Sequence, residues 1–303
     1  MKTSAHSKKY IGRFAPSPTG PLHLGSLYTA LASYLEAKSE QGIWLVRIED
    51  LDPPREINGA STAILKCLQA HGLEWDNSVV YQSQRNEAYQ TCIQQLLDDK
   101  KAFYCQCSRR QLASFGGYYP GFCRHSHLTK TTDTAIRFLN QKPILYFDDQ
   151  IQGQMQTEKP PENFYNDFVI YRRDRLFAYQ LAVVVDDITQ GVTAITRGSD
   201  ILDSTYKQLA LYHIFDQKPP TYSHLPVITG NNGEKLSKQN LAPAINSQHA
   251  VSNLLSCLRL LQQEMPPRHI QQPKEILRHA IRAWDKSRIP AQLSLTDDYY
   301  RGF

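Results

Sequence analysis

Apolar positions along the chain alternate between two rhythms, short continuous runs and helical spacing. An extended stretch from Tyr10 to Phe14 runs into a loop marked by Pro16, Pro18 and Gly20, and a helical segment follows from near Leu24 to about Lys38. Ile43 to Ile48 has the length and character of a buried strand; it ends in Glu49-Asp50-Leu51-Asp52, and a helical stretch covers about Ile57 to Ala70. Strands alternating with helices in this way predict an α/β fold built on a parallel sheet with helices on both faces.

From about Lys101 to Pro161 the texture changes to closely spaced cysteines, Gly116-Gly117, aromatic clusters and short extended runs at Ala135 to Leu139 and Ile144 to Phe147. This reads as an inserted subdomain. Alternation resumes with Phe168 to Arg172, a helix through Ala178 to Asp186, a strand from Gly191 to Thr196 and a helix from Ser199 to Phe215, which would complete the interrupted sheet. After a loop from Gly230 to Asn240, helical spacing returns around Val251 to Leu261 and Ile276 to Trp284. The predicted organisation is a Rossmann-like core over 1–100 and 166–240, an insertion over 101–165 and a small helical region over 241–303.

Composition adds limits. The 303 residues can bury a substantial core, and 41% hydrophobic with 21% charged residues excludes a disordered or fibrous chain. The N-terminus lacks the apolar segment of a secretory signal, and the longest apolar runs, such as Leu181 to Val185, are too short to span a bilayer. A cytoplasmic, non-membrane protein is expected, monomeric by default. The net charge of +5 is spread along the chain and does not by itself imply nucleic acid. Six cysteines in such a chain are expected to be reduced thiols or metal ligands. Cys105, Cys107 and Cys123 have the spacing of a structural zinc site, which takes four ligands; spacing alone would complete it with His125 or His127. Cys67, Cys92 and Cys257 fall on helical stretches and read as small core residues.

The strongest local signal is Arg13-Phe14-Ala15-Pro16-Ser17-Pro18-Thr19-Gly20-Pro21-Leu22-His23-Leu24-Gly25-Ser26, placed between a predicted strand and a predicted helix. A helix N-terminus presents unpaired N–H groups and partial positive charge to a phosphate, and His23 can add a hydrogen bond. The string resembles the first signature of class I aminoacyl-tRNA synthetases, in the form used by the glutamyl and glutaminyl branch, with Leu24 in place of isoleucine and Ser26 in place of the second histidine. Lys235-Leu236-Ser237-Lys238-Gln239, after Asn231-Asn232-Gly233, resembles the second signature, with Leu236 for methionine and Gln239 for serine and both lysines kept. Alone it would be a solvated charged turn. The resemblance spans about residues 9 to 240.

That resemblance implies activation of glutamate by ATP with Mg²⁺, the glutamate carboxylate attacking the α-phosphate in line. His23 and Lys238 would stabilise the charge on phosphorus, with Gly25 and Lys235 also at the nucleotide. Arg13 and Arg197 match the cationic partners of the substrate side chain, Glu49 the receiver of its ammonium and Tyr179 a pocket tyrosine. Phe14, Ala15, Pro16 and Ser17 complete the glutamate loop, and Asp186 and Asp187 take a supporting role. In short homologues of the branch the pattern Cys-x-Cys, Tyr, then Cys carries zinc with tyrosine as fourth ligand, which here is Tyr119. Only about sixty residues follow the second signature, too few for the large anticodon-gripping domain. The short homologues activate glutamate without tRNA and attach it to queuosine, the modified wobble base of tRNA(Asp); that is the expected activity. The alternatives are a small synthetase charging the tRNA 3′ end, an inactive RNA-binding paralogue, and a small-molecule nucleotidyltransferase.

Overall fold

The computed structural model describes residues 9–116, 118–131, 133–230 and 244–296. The first part follows the predicted alternation, with β1 (Ile11–Phe14), α1 (Leu24–Ser39), β2 (Ile43–Ile48), α2 (Ala60–Ala70), the two-residue β3 (Val80–Tyr81) and α3 (Asn86–Asp98). The middle part holds β4 (Ala102–Cys105), the single-turn α4 (Arg109–Leu112), β5 (Ala135–Phe138), β6 (Tyr146–Asp149), β7 (Gly153–Gln156) and β8 (Phe168–Tyr171). There follow α5 (Tyr179–Thr189), β9 (Ala194–Gly198), α6 (Leu202–Ile214), β10 (Thr221–Leu225), β11 (Val227–Thr229), α7 (Ala250–Leu260), α8 (Pro273–Arg282) and β12 (Ser294–Thr296).

β1, β2 and β3 pair in parallel, as do β9, β10 and β6, with β7 antiparallel on the outer edge of β6. Thr193 joins the two groups: its N–H donates to the Ile11 carbonyl, and its hydroxyl accepts from the Ile11 N–H, both at 2.9 Å. Across that junction the order is β3-β2-β1-β9-β10-β6-β7, so the chain winds outward in opposite directions from β1 and from β9. Such a switch point opens a crevice beyond the carboxyl ends of the central strands, where α/β folds bind ligands.

α1 is buried around most of its circumference, from Leu27 to Ala37, because the sheet covers one side and α7 and α8 cover the other. Its entry needs Gly20 at φ 134°, and its exit needs Gly42, where a Cβ would lie 2.5 Å from the Tyr10 carbonyl oxygen. At the far end, the Glu36 carboxylate accepts from Trp284 Nε1 at 2.5 Å and from Lys286 Nζ at 2.7 Å, tying the C-terminal region to the core.

Two strands pair differently from the sequence-based expectation. β8, expected to resume the core sheet, instead pairs antiparallel with β5 in the three-stranded sheet β4-β5-β8. Its Phe168 and Ile170 pack with Ile136, Phe138 and the buried faces of α3 and α5, so this small sheet shares a core with the helices instead of hanging free. The Ile144 to Phe147 run, expected inside the insertion, leads into β6, whose inward Phe147 packs with Ile195 and Tyr222 of the main sheet. The pairing of β12 with β11 in parallel is a further strand that helical periodicity did not show. Among the described residues, no helix is long and apolar enough to cross a membrane.

Candidate active site

The loop after β1, the end of β9 and the start of α1 frame two adjoining cavities at the switch point. The first, of about 480 Å³, is lined by Arg13, Phe14, Ala15, Ser17, Glu49, Tyr179 and Arg197. The second, of about 640 Å³, is lined by Pro16, His23, Gly25 and Ser26 and shares Phe14, Ser17 and Gly198 with the first. Every candidate glutamate or nucleotide residue that is described therefore reaches this cleft. Lys235 and Lys238 lie outside the described residues.

Charges on one wall form a closed set. Arg13 donates from Nε to Asp187 Oδ1 at 3.2 Å and from Nη2 to Oδ2 at 3.3 Å. Arg47, wholly buried in β2, donates to Asp187 Oδ1 at 2.7 Å, to Gln190 Oε1 at 2.6 Å and to Glu49 Oε1 at 3.4 Å. Asp186 accepts from Gln82 at 2.7 Å, Arg85 at 2.5 Å and Tyr89 at 2.6 Å. Three guanidinium groups thus face three carboxylates. Burial opposes ionisation of Asp187, but Arg13 and Arg47 prevail and hold its carboxyl below the usual range. At Glu49 burial prevails over Arg47 and Arg13, and its carboxyl is pushed up.

Arg197 is different. It is 3% exposed, and its partners are His224 Nε2 at 3.0 Å, Gln208 Oε1 at 2.8 Å, Thr205 Oγ1 at 2.7 Å and, more loosely, the Tyr179 hydroxyl at 3.5 Å. No carboxylate among the described residues forms an ion pair with it. Burial pushes the Tyr179 phenol up and the His224 imidazole down, so both stay neutral near pH 7. A buried cation with only neutral partners, lining a cavity, is built to take a negative ligand.

At the second cavity, His23 is the N-cap of the sixteen-residue α1. Its Nδ1 accepts from the Ser26 N–H at 3.3 Å and its Nε2 lies 3.0 Å from Ser26 Oγ, so Ser26 orients the imidazole that lines the cavity. No acidic residue occupies the first turn of α1 to compete with an anion at its positive end.

Away from the cleft, the sulfur atoms of Cys105, Cys107 and Cys123 lie within 4.8 Å of one another. The Tyr119 hydroxyl stands 3.6 Å from Cys105 Sγ and 3.8 Å from Cys107 Sγ and accepts the Cys123 N–H at 2.8 Å. His125 and His127 are exposed and outside the cluster. Burial and the neighbouring Cys105 sulfur push the Cys107 thiol up to about 12. Crowded acids that resist ionising together suit a tetrahedral cation that neutralises them, so the donor set fits zinc.

The family model for the catalytic domain of class I tRNA synthetases (E and Q) matches residues 10–117 and 123–260. The chain belongs to this family. It is a ligase. Among curated relatives, a glutamyl-Q tRNA(Asp) synthetase from Vibrio vulnificus is 50% identical over 297 residues, 98% of this chain and 96% of the relative. One of the same name from Photobacterium profundum is 49% identical over 291 residues, 96% of this chain and 92% of the relative. Among solved structures, a glutamate-tRNA synthetase from Elizabethkingia anophelis superposes with a TM-score of 0.77 at 22% identity, over 95% of this chain and 68% of that one, a likeness of fold.

In this synthetase several residues that hold the cleft's side chains in place carried no local signal. Arg47 stood in the sequence as one residue of a strand end; a charge inside an otherwise apolar run is the clue that could have singled it out. Thr205, Gln208 and His224 meet Arg197, and Asp149 meets His224, only through the pairing of β6, β10 and β9 and the packing of α6.

Proposed function

We propose that this synthetase activates glutamate with ATP, forming glutamyl-adenylate without tRNA, and then transfers the glutamate to queuosine at the wobble position of tRNA(Asp). The observation that carries the first half is Arg197, a buried guanidinium held by neutral groups in a cavity that also contains Glu49. Arg197 takes the substrate's side-chain carboxylate, with Arg13 and the Tyr179 hydroxyl beside it. Glu49 takes the ammonium. A glutamine amide would set its own N–H groups against guanidinium donors, so it is rejected.

With the substrate held at both ends, its α-carboxylate attacks the α-phosphorus of ATP and pyrophosphate leaves. The N-terminus of α1 and His23 stabilise the negative charge developing there, and Lys235, Lys238 and Mg²⁺ on the phosphates supply the rest. Little covalent participation by the protein is needed, because the two substrates react with each other and the cleft has only to position them and stabilise the charge that develops. Zinc held by Cys105, Cys107, Tyr119 and Cys123 would cross-link β4 to the turn at 119–123 and stiffen that sheet.

The acceptor rests on the relatives: glutamyl-Q tRNA(Asp) synthetases match nearly end to end, whereas about a third of the glutamate-tRNA synthetase lies outside the part covered. The test incubates the chain with ATP, labelled glutamate and tRNA(Asp) carrying or lacking queuosine. Label is expected on the anticodon fragment of the queuosine form alone. Label on the 3′ end of tRNA(Glu) would overturn the acceptor, and absence of glutamate-dependent ATP–pyrophosphate exchange would overturn the activation step.

A further inference from the structure

We infer that Asp149 and His224 are a positioning pair that aims the Arg197 guanidinium while leaving its charge free for the substrate. The inference rests on the reading of Arg197 as the partner of the substrate's side-chain carboxylate.

An arginine Nε always carries a hydrogen. Arg197 Nε lies 3.0 Å from His224 Nε2, so that ring nitrogen must be the bare acceptor and the imidazole proton must sit on Nδ1. Nδ1 in turn lies 2.6 Å from Asp149 Oδ2, which accepts it. Asp149 is itself fixed: Oδ1 accepts from the N–H groups of Ile151 at 3.0 Å, Gln152 at 2.9 Å and His224 at 3.1 Å. Donation therefore runs one way, from Arg197 through His224 to Asp149. All three side chains are buried, at 3%, 0% and 4% exposure. The strands set the alignment, since His224 on β10 stands directly opposite Arg197 on β9, and Asp149 ends β6 on the other side of β10.

The placement of the charges gives the pair its purpose. A carboxylate touching Arg197 directly would orient it but also neutralise it, as Asp187 does to Arg13. Inserting a neutral imidazole keeps the orienting bond and moves the negative charge one ring away. The remaining edges repeat the scheme with neutral acceptors: Thr205 takes an Nη2 hydrogen, and Gln208, held by Gln180 at 3.1 Å, takes one from Nη1. The Tyr222 ring, with its centroid 5.0 Å from the guanidinium carbon, lies parallel to the His224 ring and packs against the same group. Burial keeps His224 below its ordinary imidazole range in spite of Asp149, in agreement with a neutral ring.

The test is ATP–pyrophosphate exchange by the full chain, with glutamate and ATP varied separately. His224→Phe should raise the KM for glutamate about tenfold or more while the KM for ATP changes less than about twofold, because only one substrate meets the misaimed group. His224→Gln, whose carbonyl can accept from Arg197 Nε, should recover most of that loss. Equal rises in both KM values, or no rise for glutamate, would overturn the pair. Nitrogen-15 histidine NMR of the unsubstituted protein decides the same point without any variant: the Nδ1–H tautomer is expected, and the Nε2–H tautomer would refute the chain of donation. Arg197→Ala run in parallel separates the two claims. If it leaves the glutamate KM unchanged, the reading of the pocket fails, whereas the tautomer still reports on the pair alone.

Discussion

Arg47 donates to Asp187 Oδ1 across 2.7 Å with both side chains buried, and Arg13 closes on the same carboxylate from β1. One aspartate on α5 therefore holds two cations from adjacent strands beneath the floor of the cleft.

Asp187→Asn leaves both guanidinium groups without their counter-charge, and unfolding in urea is expected to show a loss of about 3–5 kcal/mol. A loss under about 1 kcal/mol would contradict the role. Since the folded carboxyl sits below its unfolded value, its contribution is whole above that value, about 3.9, and is lost as pH falls through the lower folded one. The stability gap between the two proteins should thus stay level down to about pH 5 and shrink in stronger acid.

Arg197→Ala removes the buried partner proposed for the substrate side chain. The KM for glutamate should rise by about a hundredfold or more, with ATP nearly unaffected, in glutamate-dependent exchange. Comparable losses for both substrates would show that the residue serves the fold and not the pocket.

Glu49 loses its charge at a higher pH than an ordinary carboxylate because burial outweighs Arg47 and Arg13. An ammonium receptor works only when ionised, so the glutamate KM of the wild type should climb on moving from neutral into weakly acidic solution. Glu49→Gln should have a high KM that no longer varies over this range. A wild-type profile that is flat through weak acid would remove Glu49 from the ammonium site.

Cys107→Ser should lower the zinc content measured by plasma mass spectrometry and speed amide exchange in β4 and β5, whose edge the cluster ties down. Tyr119→Phe keeps three thiols and should retain metal with weaker affinity. Unchanged zinc in the serine variant would rule out the cluster as its site.

What the sequence revealed follows the range of the forces involved. β2 spans the predicted Ile43 to Ile48, and α1 starts at the predicted Leu24, because burial of a continuous apolar run or helical face is a local pattern. The first signature placed Arg13 and His23 in the cleft for the same reason, since loop, cap and helix are neighbours in the chain. Pairing is not local: nothing within Phe168 to Tyr171 says that its partner is β5 and not the core sheet. Likewise Asp149 and His224 are 75 positions apart, and their 2.6 Å contact exists only once β6 has joined β10. Spacing alone pointed to His125 or His127 beside the cysteine cluster, but both are exposed and outside it; the Tyr119 hydroxyl lies against the sulfur atoms because the 119–123 turn folds it back onto the Cys123 N–H.

The parallel pairing of β12 with β11 has a practical consequence. Residues 294–296 brace the strand that leads out of the sheet toward position 230, so an end of the molecule remote from chemistry helps to shape the cleft's rim. A preparation nicked in the 290s by contaminating protease would then look catalytically defective although every substrate-facing side chain was intact, and intact mass should be checked before any variant is judged inactive.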